Sequence, residues 1–219
     1  MPVEGTLRDG PAAGFELIET LRWEPGEGFV RLDRHLQRLQ ASAAALGFAA
    51  DPGKIGAALS TARNDSTPLR VRLMLARDGT VNATSVPFEP LPENTVWTLR
   101  IAKTRLDSTD PLLRHKTTRR QVYEAARAEF LREQADEVLL LNERGEVCEG
   151  TITNVFADFG EPVLATPPLS SGLLAGVLRG SLVEQVTVRE AVLKEADLRA
   201  AREIFVGNSL RGLIPARLA

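Results

Sequence analysis

Cysteine is almost missing from this chain of 219 residues: Cys148 is the only one, so no internal disulfide can form, and it stands in no metal-ligand spacing. That usage fits a reducing compartment, argues against zinc or any other metal site, and leaves Cys148 as a small buried hydrophobe. Histidine is scarce too, with His35 and His115 the only pair. No apolar run approaches the roughly 18 residues of a membrane span. Met1–Gly14 lacks the hydrophobic stretch of a signal peptide, so the expected location is the cytoplasm, with no membrane partner. Neither sign of charge dominates: 27 Lys and Arg are interspersed with 29 Asp and Glu, for a net charge of −2. Without a basic stripe, nucleic acid is not an expected partner. Repeats and low-complexity tracts are lacking, apart from the alanine-rich residues 41–50.

What is present suffices for a sizeable core. Hydrophobic residues make up 43% of the chain, enough at this length for two modest lobes of mixed α and β structure. Phe15–Trp23 alternates like a strand, Glu24–Gly28 turns, and Phe29–Leu32 returns. Asp33 is the expected N-cap of a helix whose Leu36, Leu39, Ala43 and Leu46 share one face before Gly47 closes it. On that helix His35 and Arg38 are neighbours. A second helix is expected over residues 52–63, then strands over 69–75, 81–86 and 95–101. Residues 103–114 have the composition of a connection, which divides the chain into a small α+β lobe, 1–104, and a larger lobe, 105–219. The second lobe opens with a helix predicted over 117–133. It continues with a hairpin about Glu143-Arg-Gly145, a strand over 151–156, a helix ending near Glu184, a short helix over 195–201, and a strand over 203–206 leading to a turn at Asn208.

The stretch Gly145-Glu-Val-Cys-Glu-Gly-Thr-Ile-Thr-Asn-Val-Phe156 organises the rest. Its hairpin arm delivers the carboxylate of Glu149 to the end of a sheet, and Thr151, Thr153 and Asn154 are expected to crowd hydroxyls and an amide around that acid. Upstream stands Lys116, in His115-Lys-Thr-Thr-Arg-Arg120. Taken with Arg34-His-Leu-Gln-Arg-Leu39, Glu149-Gly-Thr-Ile-Thr-Asn154, Thr166-Pro-Pro-Leu-Ser-Ser-Gly-Leu-Leu-Ala-Gly-Val177 and Val206-Gly-Asn-Ser-Leu-Arg-Gly212, this order of motifs resembles the fold-type IV pyridoxal-phosphate enzymes. That group comprises branched-chain aminotransferases, D-amino acid aminotransferases and 4-amino-4-deoxychorismate lyases. The resemblance implies a two-lobe, D-amino acid aminotransferase-like α+β fold, pyridoxal 5'-phosphate as cofactor, and a homodimer.

Each need of that cofactor has a candidate residue. An amine must hold it, an acid must keep its ring nitrogen protonated, and donors must grip its phosphate. The resemblance assigns the first task to Lys116, whose basicity Arg119, Arg120 and partial burial would lower, and the second to Glu149. For the phosphate it points to Arg38 and to a helix start at Gly176, Val177 and Leu178, with N–H groups free to meet an anion. Leu174 would pack beneath the ring, and Thr153, Asn154, Asn208 and Ser209 would line the cofactor. The family's proline is replaced here by Ala175. His35 is read as a brace for the arginine or the fold, and Arg105 and Arg114 as solvated.

Within the group, Val206–Gly212 resembles the lyases, whereas the transaminases carry a small-residue turn of Gly-Thr type there. The favoured reading is therefore 4-amino-4-deoxychorismate lyase, releasing pyruvate and 4-aminobenzoate for folate synthesis. The alternatives are a transaminase of branched-chain or D-amino acids with a 2-oxo acid acceptor, and a cofactor-binding or interaction protein without turnover. Lys116 and Glu149 argue against the last.

Overall fold

Along β3 (Leu69–Leu75) every odd-numbered residue is buried, while Arg70 and Arg72 are exposed, as expected of a strand with one face on a core. In the computed structural model, which describes residues 14–219, β3 pairs antiparallel with β1 (Leu17–Glu24) and with β4 (Val81–Pro87). With β2 (Gly28–Phe29) they form a sheet in the order β2-β1-β3-β4. The segment Met1–Gly14, read above for a signal peptide, lies, up to Ala13, outside the described residues. Two helices, α1 (Leu32–Leu46) and α2 (Pro52–Thr61), cover one face of this sheet over a core that includes Leu17, Leu21, Leu39, Ile55 and Leu73.

The expected apolar face of α1 holds, and Gly47 closes the helix in a left-handed conformation. Its start differs. The residue before the helix is Arg31, itself left-handed at φ 56°, and Asp33 falls inside the first turn, where it meets the positive end of the helix dipole instead of capping it. Asp51 does cap α2, its Oδ1 accepting from Gly53 N at 2.7 Å and Lys54 N at 3.3 Å.

The second sheet runs β10-β9-β8-β11-β12-β5-β6-β7. Its strands are β5 (Trp97–Leu106), β6 (Glu137–Asn142), β7 (Val147–Gly150), β8 (Asn154–Asp158), β9 (Leu164–Thr166), β10 (Val188–Glu190), β11 (Glu203–Asn208) and β12 (Gly212–Leu218). A further pairing of β7 with β8, Glu149 opposite Asn154, closes part of this sheet on itself. Strand β6 is buried on both faces. Leu139 and Leu141 join a core with Val155, Val206 and Ile214, while Val138 and Leu140 face Ala126 of α3 (Gln121–Ala128) and Leu173. Two more helices, α4 (Val177–Glu184) and α5 (Glu195–Ala200), complete the chain.

Several expectations change here. The boundary at 104/105 falls inside β5, which pairs with β6 and β12 in the second sheet, so the chain passes between the sheets over residues 88–96. Helix α3 is shorter than 117–133 because Thr117 and Thr118 are already committed to β1. Thr118 N donates to Glu16 O and Ile18 N to Lys116 O, both at 2.9 Å. At the far end Glu129 closes α3, its carboxylate accepting from Lys103 N at 2.6 Å and Thr104 N at 2.8 Å. Residues 151–153 form a turn ahead of β8 where a strand was expected, and β10 and β12 had no counterpart in the sequence reading.

Candidate active site

Lys116 is held by the pairing just described, which fixes its backbone against the first residues of β1 at the seam between the sheets. Its side chain lines a cleft of about 1760 Å³. The open face of the first sheet forms one wall, with Ile18 on β1, Thr20, Arg72 and Thr84 in register across β1, β3 and β4, and Arg70 paired with Val86. The Glu149 hairpin, the start of α4 and the Asn208–Leu210 turn form the other. Burial, reinforced by the charges of Arg38 and Arg120, lowers the Lys116 amine to about 8, against the pull of Glu19 and Glu149.

Across the cleft Glu149 is 4% exposed. Burial raises its carboxyl to about 7, although Tyr123, the Leu174 backbone, Lys116 and Arg120 all oppose that rise. Tyr123 Oη donates to Glu149 Oε1 at 2.7 Å, and Asn154 Nδ2 lies 3.4 Å from Oε2 while donating to Leu174 O at 3.2 Å. Gly176 has to be glycine, since a Cβ there would fall on Asn154 Oδ1.

The phosphate candidates also meet. Arg38 presents two of its nitrogens to Glu19, Nε to Oε1 at 2.8 Å and Nη2 to Oε2 at 2.6 Å, and its Nη1 donates to Ala175 O at 3.1 Å. Its guanidinium is thereby aimed at the segment entering α4. There Gly176 is the N-cap without a side-chain cap, so the first-turn N–H groups of Val177 and Leu178 have no intrahelical acceptor. Gly176 and Val177 line the cleft, as does Leu174, whereas the Leu178 side chain packs against Gly207 and leaves only its N–H for an anion.

Thr153, Asn154, Asn208 and Ser209 all line the cleft, but their hydrogen bonds within the protein are not all the expected ones. The hydroxyls expected around Glu149 serve a different acid: Thr151 Oγ1 and Thr153 Oγ1 donate to Glu137, at 2.6 and 2.9 Å. Only the amide of Asn154 turns to Glu149. Asn208 acts as a turn cap, Oδ1 accepting from Leu210 N and Arg211 N at 3.1 and 3.0 Å. Ser209 Oγ lies 2.8 Å from His35 Nε2, and His35 Nδ1 lies 2.7 Å from Glu19 Oε2, so the histidine braces the Arg38 pair. Cys148 is fully buried, and burial pushes its thiol well above the usual range. Neither Arg105 nor Arg114 lines the cleft.

Three residues escaped the sequence reading. Glu19 is 1% exposed, yet the charge of Arg38 and the hydrogen bonds from His35 and Arg38 overcome burial and hold it at about 2. A signal existed: alternation puts Glu19 on the buried side of β1, with Leu17 and Leu21. Tyr123, the sole tyrosine, sits in the first turn of α3 under the guanidinium of Arg120, 4.7 Å from its ring. Glu137 heads the apolar run of β6, where nothing in the neighbouring sequence marks it out.

This fold and this constellation define an enzyme class. Residues 16–219 match the family model for amino-transferase class IV, and the chain belongs to that family. It is 36% identical over 205 residues to the Schizosaccharomyces pombe protein named "Putative aminodeoxychorismate lyase", covering 89% of this chain and 86% of that one. A Mesorhizobium loti crystal structure titled as a "Putative amino-acid aminotransferase" is 61% identical, with a TM-score of 0.92 over 94% of this chain and all (100%) of that one. A Thermotoga maritima structure, titled as a "putative branched-chain amino acid aminotransferase", is 27% identical with a TM-score of 0.78, covering 93% of this chain and 76% of that one. The protein is thus a class IV enzyme, related both to aminotransferases and to lyases. Among the described residues no helix is long and apolar enough to cross a membrane.

Proposed function

We propose that this enzyme binds pyridoxal 5'-phosphate between Lys116 and Glu149 and eliminates pyruvate from 4-amino-4-deoxychorismate, leaving 4-aminobenzoate. The donor set fits the cofactor on physical grounds. A buried acid poised near pH 7 gains a partner when a cationic ring nitrogen arrives, an amine lowered to about 8 is partly neutral at physiological pH, and Arg38 with the α4 start offers an anion cradle. Pyridoxal phosphate, when bound, supplies an electron-withdrawing ring conjugated to the substrate amine. Lys116 Nζ takes the proton from the substrate carbon and returns one to the product. Glu149 keeps its charge beside the ring nitrogen, and Tyr123 and Asn154 fix its two oxygens.

The cleft carries seven Lys and Arg side chains against two carboxylates, which suits a substrate with more than one carboxylate. Arg70 and Arg72, among the described residues, pair with no acid and line the same cleft as Lys116. The observation that carries the choice of elimination is the Asn208–Leu210 turn. Its Leu210 and Arg211 N–H groups are consumed by Asn208, and Leu210 presents an apolar side chain to the cleft beside Ile152, a surface suited to a carbocyclic ring. The relationship to the S. pombe protein supports the same reading. Amino transfer is the second reading, favoured by the name of the 61% identical relative. Purified protein given 4-amino-4-deoxychorismate should release pyruvate and 4-aminobenzoate in equal amounts. Release of neither, with turnover of branched-chain or D-amino acids and 2-oxoglutarate, would establish the transaminase instead.

A further inference from the structure

Glu137 lies behind the cleft and is absent from its lining, yet its surroundings are those of a working group. It is 1% exposed, and each hydrogen bond it accepts comes from a backbone N–H or a threonine hydroxyl. Oε1 accepts from Val138 N at 2.9 Å, Thr151 N at 3.0 Å and Thr151 Oγ1 at 2.6 Å. Oε2 accepts from Ile152 N at 3.1 Å and Thr153 Oγ1 at 2.9 Å. Burying a carboxylate without a cation is costly, and an apolar residue at the head of β6 would carry no such cost.

The effect is to gather the donors of the 151–153 turn on one side. Two of its carbonyls then face the other way, where Thr151 O accepts from Arg120 and Ile152 O accepts from Asn208 Nδ2 at 3.2 Å. Arg120, so anchored, lies over the Tyr123 ring, and Tyr123 holds Glu149. Gly150 makes the arrangement possible, because a Cβ there would come within 2.8 Å of the Glu137 carboxyl carbon. We propose that Glu137 is a positioning residue for the cleft: by fixing the Thr151–Thr153 turn it places the Arg120 charge beside Glu149 and anchors the Asn208 turn. The part of this that concerns Glu149 rests on the cofactor reading above; the part that concerns the turn does not.

Glu137→Gln tests it, because one amide nitrogen must then face the Ile152 N–H, or the Val138 and Thr151 N–H groups, donor against donor, whereas the threonine hydroxyls can turn to accept. In the cofactor-free protein, hydrogen exchange at the Ile152 amide should accelerate tenfold or more, on the order of 1.4 kcal/mol, and at the Thr151 amide by less, since it also donates to Val138 O at 3.1 Å, while the β6 amides of Leu139 and Leu141 keep their rates. With pyridoxal phosphate added, the pH midpoint of the bound cofactor's absorbance should move by at least about half a unit as Arg120 loosens. Thr151→Val, which removes a donor and keeps the carboxylate, should reproduce both effects in weaker form and serves if Glu137→Gln does not fold; Thr151→Ser should reproduce neither. Unchanged exchange at residues 151 and 152 would overturn the proposal. Faster exchange with an unmoved midpoint would overturn its link to the cleft and leave Glu137 purely structural. A wild-type protein that takes up no cofactor would instead count against the proposed function, and the exchange result would still decide what Glu137 does to the turn.

Discussion

At the scale of single residues, the site separates groups by the partners they find once buried. Glu19 and Glu149 are both nearly inaccessible, yet one is held at about 2 by Arg38 and His35 and the other is driven to about 7. The difference can be measured in the cofactor-free protein. Glu149 has a folded value above its unfolded 4.5, so between 4.5 and about 7 the folded chain binds more protons than the unfolded chain. Stability should therefore fall as pH rises through that window, by on the order of 3 kcal/mol, and level off above it. Glu149→Gln should abolish that fall in urea titrations run across pH, and equal slopes in the two proteins would mean that Glu149 is solvated. With cofactor saturating, the same variant should retain binding but slow single-turnover proton abstraction by about a hundredfold or more, equivalent to about 2.7 kcal/mol. Lys116→Ala should fold but lose the visible absorbance that the loaded wild type shows; a variant that keeps a borohydride-reducible link to the cofactor would assign the amine elsewhere.

At the scale of elements, the phosphate end depends on how α1 and β1 present Arg38 to α4. Arg38→Ala is a poor probe, because it strands Glu19 as a buried charge, a loss of about 3–5 kcal/mol in its own right. Arg38→Lys keeps the charge beside Glu19 but not the fork. It should weaken cofactor binding by about 1.5–3 kcal/mol in equilibrium titration, and unchanged affinity would remove Arg38 from the phosphate site. Asp51→Ala supplies the contrast: it removes the cap of α2, on the far side of the small sheet's core, and should cost about 1 kcal/mol of stability without touching cofactor affinity. Helix α1 was readable because its apolar positions recur with helical period and Gly47 stops it. The limits of α3 were not, since Thr117 and Thr118 have no local reason to leave the helix, and the acceptor that draws Thr118 N away is the carbonyl of Glu16.

At the scale of the whole molecule, the cleft of about 1760 Å³ is larger than a small-molecule site of roughly 300–1,000 Å³ needs. Two apolar side chains on its lining, Val86 and Ile152, are 44% and 57% exposed. Both facts fit a cleft that a second copy narrows. We expect a homodimer whose isologous interface buries well over about 1,000 Å². Sedimentation at assay concentrations should give the dimer mass, and a fully active monomer would remove the second copy from the site.

The choice of Lys116 and Glu149 as candidates and the hairpin turn at Gly145 came from the sequence itself, because a turn residue such as Gly145, with φ at 72°, and strands of alternating pattern are set by neighbours in the chain. The order of motifs placed the amine and the acid in one family's arrangement without any contact being known. Only the tertiary structure decided which acid each hydroxyl serves. Thr151 and Thr153 are as close in sequence to Glu149 as hydroxyls can usefully be, yet they bond Glu137 because β6 lies beside β7 and brings a carboxylate under the turn. In the same way β5 follows the strands of the first sheet in sequence but lies between β6 and β12, and Glu19 meets an arginine on α1. Hydrogen-bond capacity is local, but the partner that satisfies it inside a protein is chosen by whichever distant strand the packing brings within 3 Å, roughly the length of the bond.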